Sequence, residues 1–311
     1  MISASQLNSN GEMAADSKNL SENCHIYLIC QHPAASYIKE SFSYKDGYIS
    51  GSTMYRINGE AKIVNFNTRF TLLDGAVEVR LSPYPHREIH SINASGEIVR
   101  YLPASIICFS PESQEQDANI GKFEVLYVGQ AYAEGRRSAF ERLKSHSTLQ
   151  KILAENQYNS PDNETFLFTF EYAPYRFITQ MDGRAKNAIK DERDSDRFTS
   201  ILENPLTEHQ QICLTEAALI RYFSPKYNEI YKESFPSPSH KILQQCYELD
   251  FSGLIVEINT DELGFFLYSQ KSAASTHHIC QIDLWAHEDR AGFFHYSDGE
   301  GGFLKMPDVI K

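Results

Sequence analysis

The sequence predicts an α+β protein, with β-rich regions at both ends of a mixed centre, and three observations predict it. Between residues 22 and 100, segments rich in β-branched and aromatic residues (HIYLICQ, YISGSTMYRI, AKIVNFNTRFTLL, AVEVRL) are separated by turn pairs at Asp46-Gly47, Asn58-Gly59 and Asp74-Gly75. Two stretches, 138–155 and 207–223, place apolar residues at steps of three and four, the spacing of a helix face. Beyond residue 236 the chain returns to β character in FSGLIVEI, GFFLYS, HICQIDLW and AGFFHYS.

Taken in order, residues 1–21 are a polar tail with neither a basic nor an apolar leader region. Residues 22–100 form the first β-rich domain. Residues 101–235 then read as one α+β unit. It opens on an apolar strand at 105–109 and the polar loop PESQEQDANIG, followed by a second strand, KFEVLYVGQA, ending at Gly129. The spacing suits a hairpin with a long connection. A helix follows over 138–155, then the strand ETFLFTFEYA, then a polar, helical insertion over 183–203. Thr207 and Gln210 make a capping box for a helix that runs to Phe223 and stops at Ser224-Pro225. Residues 236–311 are the second β-rich region.

Composition bounds the function. The 311 residues are 41% hydrophobic, enough for a sizeable core, and no run approaches the ~18 apolar residues of a membrane span. A soluble, cytoplasmic protein with no membrane partner is the expectation. The net charge of −12 argues against non-specific coating of DNA, which basic proteins do by counterion release. Six cysteines scattered through apolar segments read as free thiols. Cys24, Cys30 and His32 lie near one another in sequence, as do His277, His278, Cys280 and His287, but neither group has the paired spacing of a zinc site.

Two helices carry polar residues where apolar ones belong. On the first, Arg142 and His146 share a stripe with Ala139, Leu149 and Leu153. They either edge the apolar face, with Arg142 snorkelling, or face an anion pocket. On the second, Glu216 has Ile212 and Ile220 four residues away on either side. A carboxylate there requires a salt bridge or a metal, because burying it alone is expensive.

Together with Tyr127-Val128-Gly129 on the strand and Pro225-Lys226-Tyr227-Asn228 after the second helix, these residues resemble the GIY-YIG nuclease superfamily over about residues 101–232. Tyr127-Val128-Gly129 matches its second motif, Arg142 and His146 its first helix, and Glu216 and Asn228 its later helix and turn. The resemblance implies a small antiparallel sheet flanked by helices as the central domain. It places the first motif on the strand expected at 105–109, where Cys108 or Phe109 stands at the tyrosine position.

By resemblance, Tyr127, Arg142, His146, Glu216 and Asn228 are the catalytic set of a metal-dependent endonuclease. Tyr127 would be the general base, Glu216 the ligand of Mg2+ (or Mn2+), Arg142 the phosphate stabiliser, and Asn228 an orienting hydrogen-bonding residue. Arg136, Arg137 and Lys144 would bind substrate as a local basic patch in an acidic chain. DNA is the expected partner, with RNA as the alternative, and duplex cleavage would call for a homodimer or a second binding event. Two other readings stand beside this one: a nucleic-acid-binding protein of the same fold without efficient cleavage, and an interaction module in which Arg142, His146 and Glu216 form a buried network.

Overall fold

The computed structural model describes residues 1–4, 23–73, 75–131, 143, 146–173, 175–178, 192–285, 295–297 and 303–305. Strands β1 (Ile2–Ser3) and β2 (Ile26–Pro33) come first. An inserted run follows: β3 (Ser36–Tyr37), β4 (Ser43–Lys45), β5 (Tyr48–Ile57), β6 (Glu60–Arg69), β7 (Ala76–Leu81), β8 (Glu88–Asn93) and β9 (Ile98–Pro103). Helices α1 (Ala104–Cys108) and α2 (Pro111–Gln116) lead to β10 (Lys122–Gln130), α3 (Ser147–Asn159) and β11 (Asn163–Phe170). The chain continues through α4 (Asp194–Glu203), α5 (Glu208–Phe223), α6 (Gln244–Glu248), β12 (Gly253–Asn259), β13 (Phe266–Tyr268), β14 (His277–Asp283), β15 (His295–Ser297) and β16 (Phe303–Lys305).

The α+β class holds, but the central sheet is assembled differently from the sequence expectation. Its order is β1-β11-β2-β10-β13, antiparallel except for the parallel β10–β13 pair, so it is mixed, not purely antiparallel. β10 pairs with β2, about ninety residues earlier in the chain, and not with the neighbouring 105–109 segment. That segment is helix α1, because Pro103 ends β9 and Ala104, Ile107 and Cys108 then recur at helical steps into the core of the inserted module. A short apolar run cannot by itself distinguish strand from helix. The division at residue 100 therefore cuts across the sheet: β2 belongs with β10, while β3–β9 form a module inserted between them. β13 likewise comes from the C-terminal region, and β12 and β14 pack into the same core as α5.

Local chemistry explains the module. Asp46-Gly47 and Asn58-Gly59 all take positive φ, the two-residue turns that join β4 to β5 and β5 to β6. α5 begins as its sequence dictates, with the Thr207 side chain accepting from the Gln210 N–H and the Gln210 side chain accepting from the Thr207 N–H. It ends at Ser224, which adopts the left-handed conformation.

The two faces of the central sheet bury different partners. Ile26, Leu28, Cys30, Phe123, Val125, Val128, Phe166 and Phe168 pack against α5, β12 and β14. Tyr27, Ile29, Leu126 and Leu167 pack against Leu149 and Ile152 of α3. Among the described residues no helix is long and apolar enough to cross a membrane.

Candidate functional site

Side chains alternate between the faces of a strand, so on β10 Phe123 and Val125 face α5 and Tyr127 would follow them. A β-bulge prevents this. The register with β2 shifts between Val125 and Tyr127, so Leu126 and Tyr127 both turn toward α3, and Tyr127 stands opposite Ile29. Tyr27 of β2 emerges on the same face, opposite Gly129, and its ring stacks near that of Tyr127 at a centroid separation of 6.2 Å. Gly129 is required by this approach. A Cβ there would lie 2.5 Å from Cζ and Oη of Tyr27 and 2.7 Å from Cε1 of Tyr127.

His146 closes the cluster. It is the N-cap of α3, and not, as its spacing predicted, a residue inside a helix over 138–155. Its Nδ1 accepts the Leu149 N–H at 3.2 Å, which assigns the ring proton to Nε2. Nε2 lies 3.0 Å from the Tyr27 hydroxyl oxygen and therefore donates to it. The imidazole is buried and sits 5.2 Å from the Tyr127 ring and 5.7 Å from that of Tyr27. The result is two phenols and an imidazole on one face, with a half-buried Tyr127 at the rim.

Asn228 supports the cluster from the strand edge. β13 pairs with Lys122–Glu124, and among the described residues no strand continues along that edge of β10, opposite β2. There the turn after α5 takes over: Tyr227 donates its N–H to the Leu126 carbonyl at 3.1 Å. Asn228 accepts the Val128 N–H through Oδ1 at 2.9 Å and donates Nδ2 to the Val128 carbonyl at 2.8 Å. Asn228 is buried and fixes the backbone beside Tyr127. What the structure gives for Asn228 is this backbone contact with β10.

Glu216 comes from the other face. It lies half-buried on α5, and the turn of helix before it meets the end of β10 where Gln130 donates to Cys213 Sγ at 3.4 Å. Burial raises the pKa of Tyr231, and the Glu216 charge adds to the rise; Cys213 is raised in the same way, with an opposing hydrogen bond from Gln130. Arg142, Lys144, Arg136 and Arg137 lie outside the described residues.

The donor set can be tested against a metal. Among the described residues no three His, Cys, Asp or Glu side chains gather as metal ligands. One half-exposed carboxylate does fit a Mg2+ that keeps most of its waters. The described cysteine and histidine groups follow the same logic. None of the six cysteines is in a disulfide, and burial pushes Cys30 and Cys280 up. His278 is engaged by Tyr222 and the Leu267 and Ser275 carbonyls, and His277 pairs with Glu257.

Comparison with protein-family models, with curated proteins and with solved structures finds no match.

Tyr27 is the residue that sequence reasoning missed. Two signals pointed to it. A glycine among the buried residues near the end of a strand marks a close approach by something large. IYLIC, moreover, carries a tyrosine among residues that are otherwise buried and apolar.

Proposed function

We propose that this protein is a metal-dependent endonuclease of the GIY-YIG kind, hydrolysing phosphodiester bonds in DNA. The observation that carries this reading is the Tyr27–Tyr127–His146 cluster on two adjacent antiparallel strands and a helix cap. Tyr27 lies on β2, the strand paired antiparallel with β10, and its bond to His146 supports the reading. Tyr27 offers a second phenol, which the 105–109 segment lacks, and this supports the cleaving reading over the binding-only one.

Tyr127, at the rim, takes the proton of the attacking water as general base. His146 donates its hydrogen bond to Tyr27, which lowers the cost of negative charge on that phenol, and its ring packs against that of Tyr127. Glu216 would hold Mg2+ (or Mn2+), which when bound neutralises charge on the phosphoryl oxygens. Arg142 is assigned the same electrostatic task at the phosphate. Asn228 holds the Tyr127 strand in place.

The test is nicking of a supercoiled plasmid by the full chain in Mg2+ or in EDTA. Cleavage should require the metal, and Tyr127→Phe and Glu216→Gln should each lower the rate by about 100-fold or more, the range for losing an acid–base or charge-stabilising group. Wild-type rates in Glu216→Gln would remove the metal site, and wild-type rates in Tyr127→Phe would remove the base.

A further inference from the structure

The same turn that carries Asn228 builds a second feature on the Tyr127 face. Tyr227, like Tyr127, packs against the buried cluster on the α3 side of the sheet, its backbone N–H bonded to Leu126, and its hydroxyl donates to Glu155 Oε2 of α3 at 2.6 Å. Two ammonium groups converge on this tyrosine. Lys226 Nζ lies 4.9 Å and Lys151 Nζ 5.8 Å from its ring centroid. Both also reach Glu155, Lys226 at 3.6 Å and Lys151 at 3.9 Å. Their side chains are 60% and 65% exposed.

We propose that Lys151, Lys226 and Tyr227 form a backbone-phosphate subsite, which holds the DNA strand alongside the Tyr127 centre. The inference rests on the nuclease reading above. Exposed ion pairs contribute little to folding, so the two lysines are not accounted for as stabilising contacts. Two cations against one carboxylate leave a net positive spot beside the cluster, in a chain whose net charge is −12. A phosphate oxygen can replace Glu155 at the ammonium groups while the Tyr227 hydroxyl keeps the carboxylate in place. The aromatic ring meanwhile restricts two otherwise flexible side chains, which lowers the entropy lost when they bind. Lysine serves as a point charge here, suited to the sequence-independent backbone and not to a base edge.

The experiment measures fluorescence anisotropy of a short labelled DNA duplex with the full-length protein in EDTA, across a potassium chloride titration. The Lys151→Ala/Lys226→Ala double variant should bind about tenfold or more weakly and lower the salt slope by about 2, one for each phosphate that is no longer neutralised. Glu155→Gln removes the competing carboxylate and should bind more tightly, a direction that damage to the fold would not produce. Circular dichroism and the melting temperature check that both variants are folded. If wild type binds and the two variants match it, the subsite is overturned while the nuclease reading stands. If wild type neither binds the duplex nor nicks plasmid, both fail.

Discussion

At Val128 in the central sheet and at Asn65 in the inserted module, a side-chain amide takes the place of a missing neighbour strand. Asn228 bonds both the N–H and the carbonyl of Val128, at 2.9 and 2.8 Å. Gln116 bonds both groups of Asn65 on the outer edge of β6, at 2.8 and 2.9 Å. The geometry is equivalent, but the surroundings are not. Asn228 is buried, whereas the Gln116 bonds are open to water. A hydrogen bond contributes modestly when water can replace it, and its loss is expensive when water cannot reach the groups left behind. The exposed amide trims an edge; the buried one locates the strand that carries Tyr127.

Substitution should separate the two. Asn228→Ala leaves two backbone groups unmet in the interior and should lose about 3 kcal/mol in urea denaturation, with nicking reduced at least in proportion. Gln116→Ala should lose about 1 kcal/mol or less and leave nicking unchanged. Equal losses at the two sites would show that burial is not what distinguishes them.

What the sequence revealed about these regions divides along the same line. The α5 capping box, the glycine turns of the module and the polar intrusion of Glu216 were legible because each is decided within a few residues. The pairing of β2 with β10 was not, since about ninety residues lie between the strands and local periodicity says nothing about long-range register. The 105–109 segment was read as a strand from its short apolar run, a pattern that a buried helix shares. The helical stripe expected to carry His146 is not what holds it: it caps α3 and from there reaches Tyr27. The bulge at Leu126, which turns Tyr127 to the α3 face, has no local signature at all.

Glycines offer a second contrast between the two regions, with a somewhat smaller effect. Gly59 in the module sits at φ +81°, and a Cβ there would meet nothing within 4 Å, so only its backbone conformation demands glycine. Gly59→Ala should cost about 1 kcal/mol. At Gly129 the demand is space, because a methyl group would overlap the Tyr27 ring. Gly129→Ala should cost about 2 kcal/mol or more through overpacking, and should disturb the Tyr27–His146 bond. Pairing it with Tyr27→Ala should recover part of that loss, measured as a double-mutant cycle in urea. Strict additivity would mean that the ring is not what excludes the side chain.

The smallest effect concerns the seam where the two regions meet. His32, near the end of β2, is buried between Phe109, Phe123 and Phe166, with Nε2 donating to the Ile120 carbonyl at 2.6 Å. Burial lowers its pKa to about 4, the bonds to backbone carbonyls only partly opposing the shift. The folded state thus resists a proton that the unfolded chain accepts near pH 6.5, so stability is full above that pH and falls as pH drops toward 4. Between pH 7 and pH 5 the loss from this one residue should be about 2 kcal/mol. His278, also lowered by burial, adds a loss of the same sign. His32→Gln keeps a donor for Ile120 but cannot titrate, so its urea stability should change less over that interval than wild type by about 2 kcal/mol. An identical pH dependence in the variant would move the acid sensitivity away from the seam and onto the α5–β14 side of the central sheet.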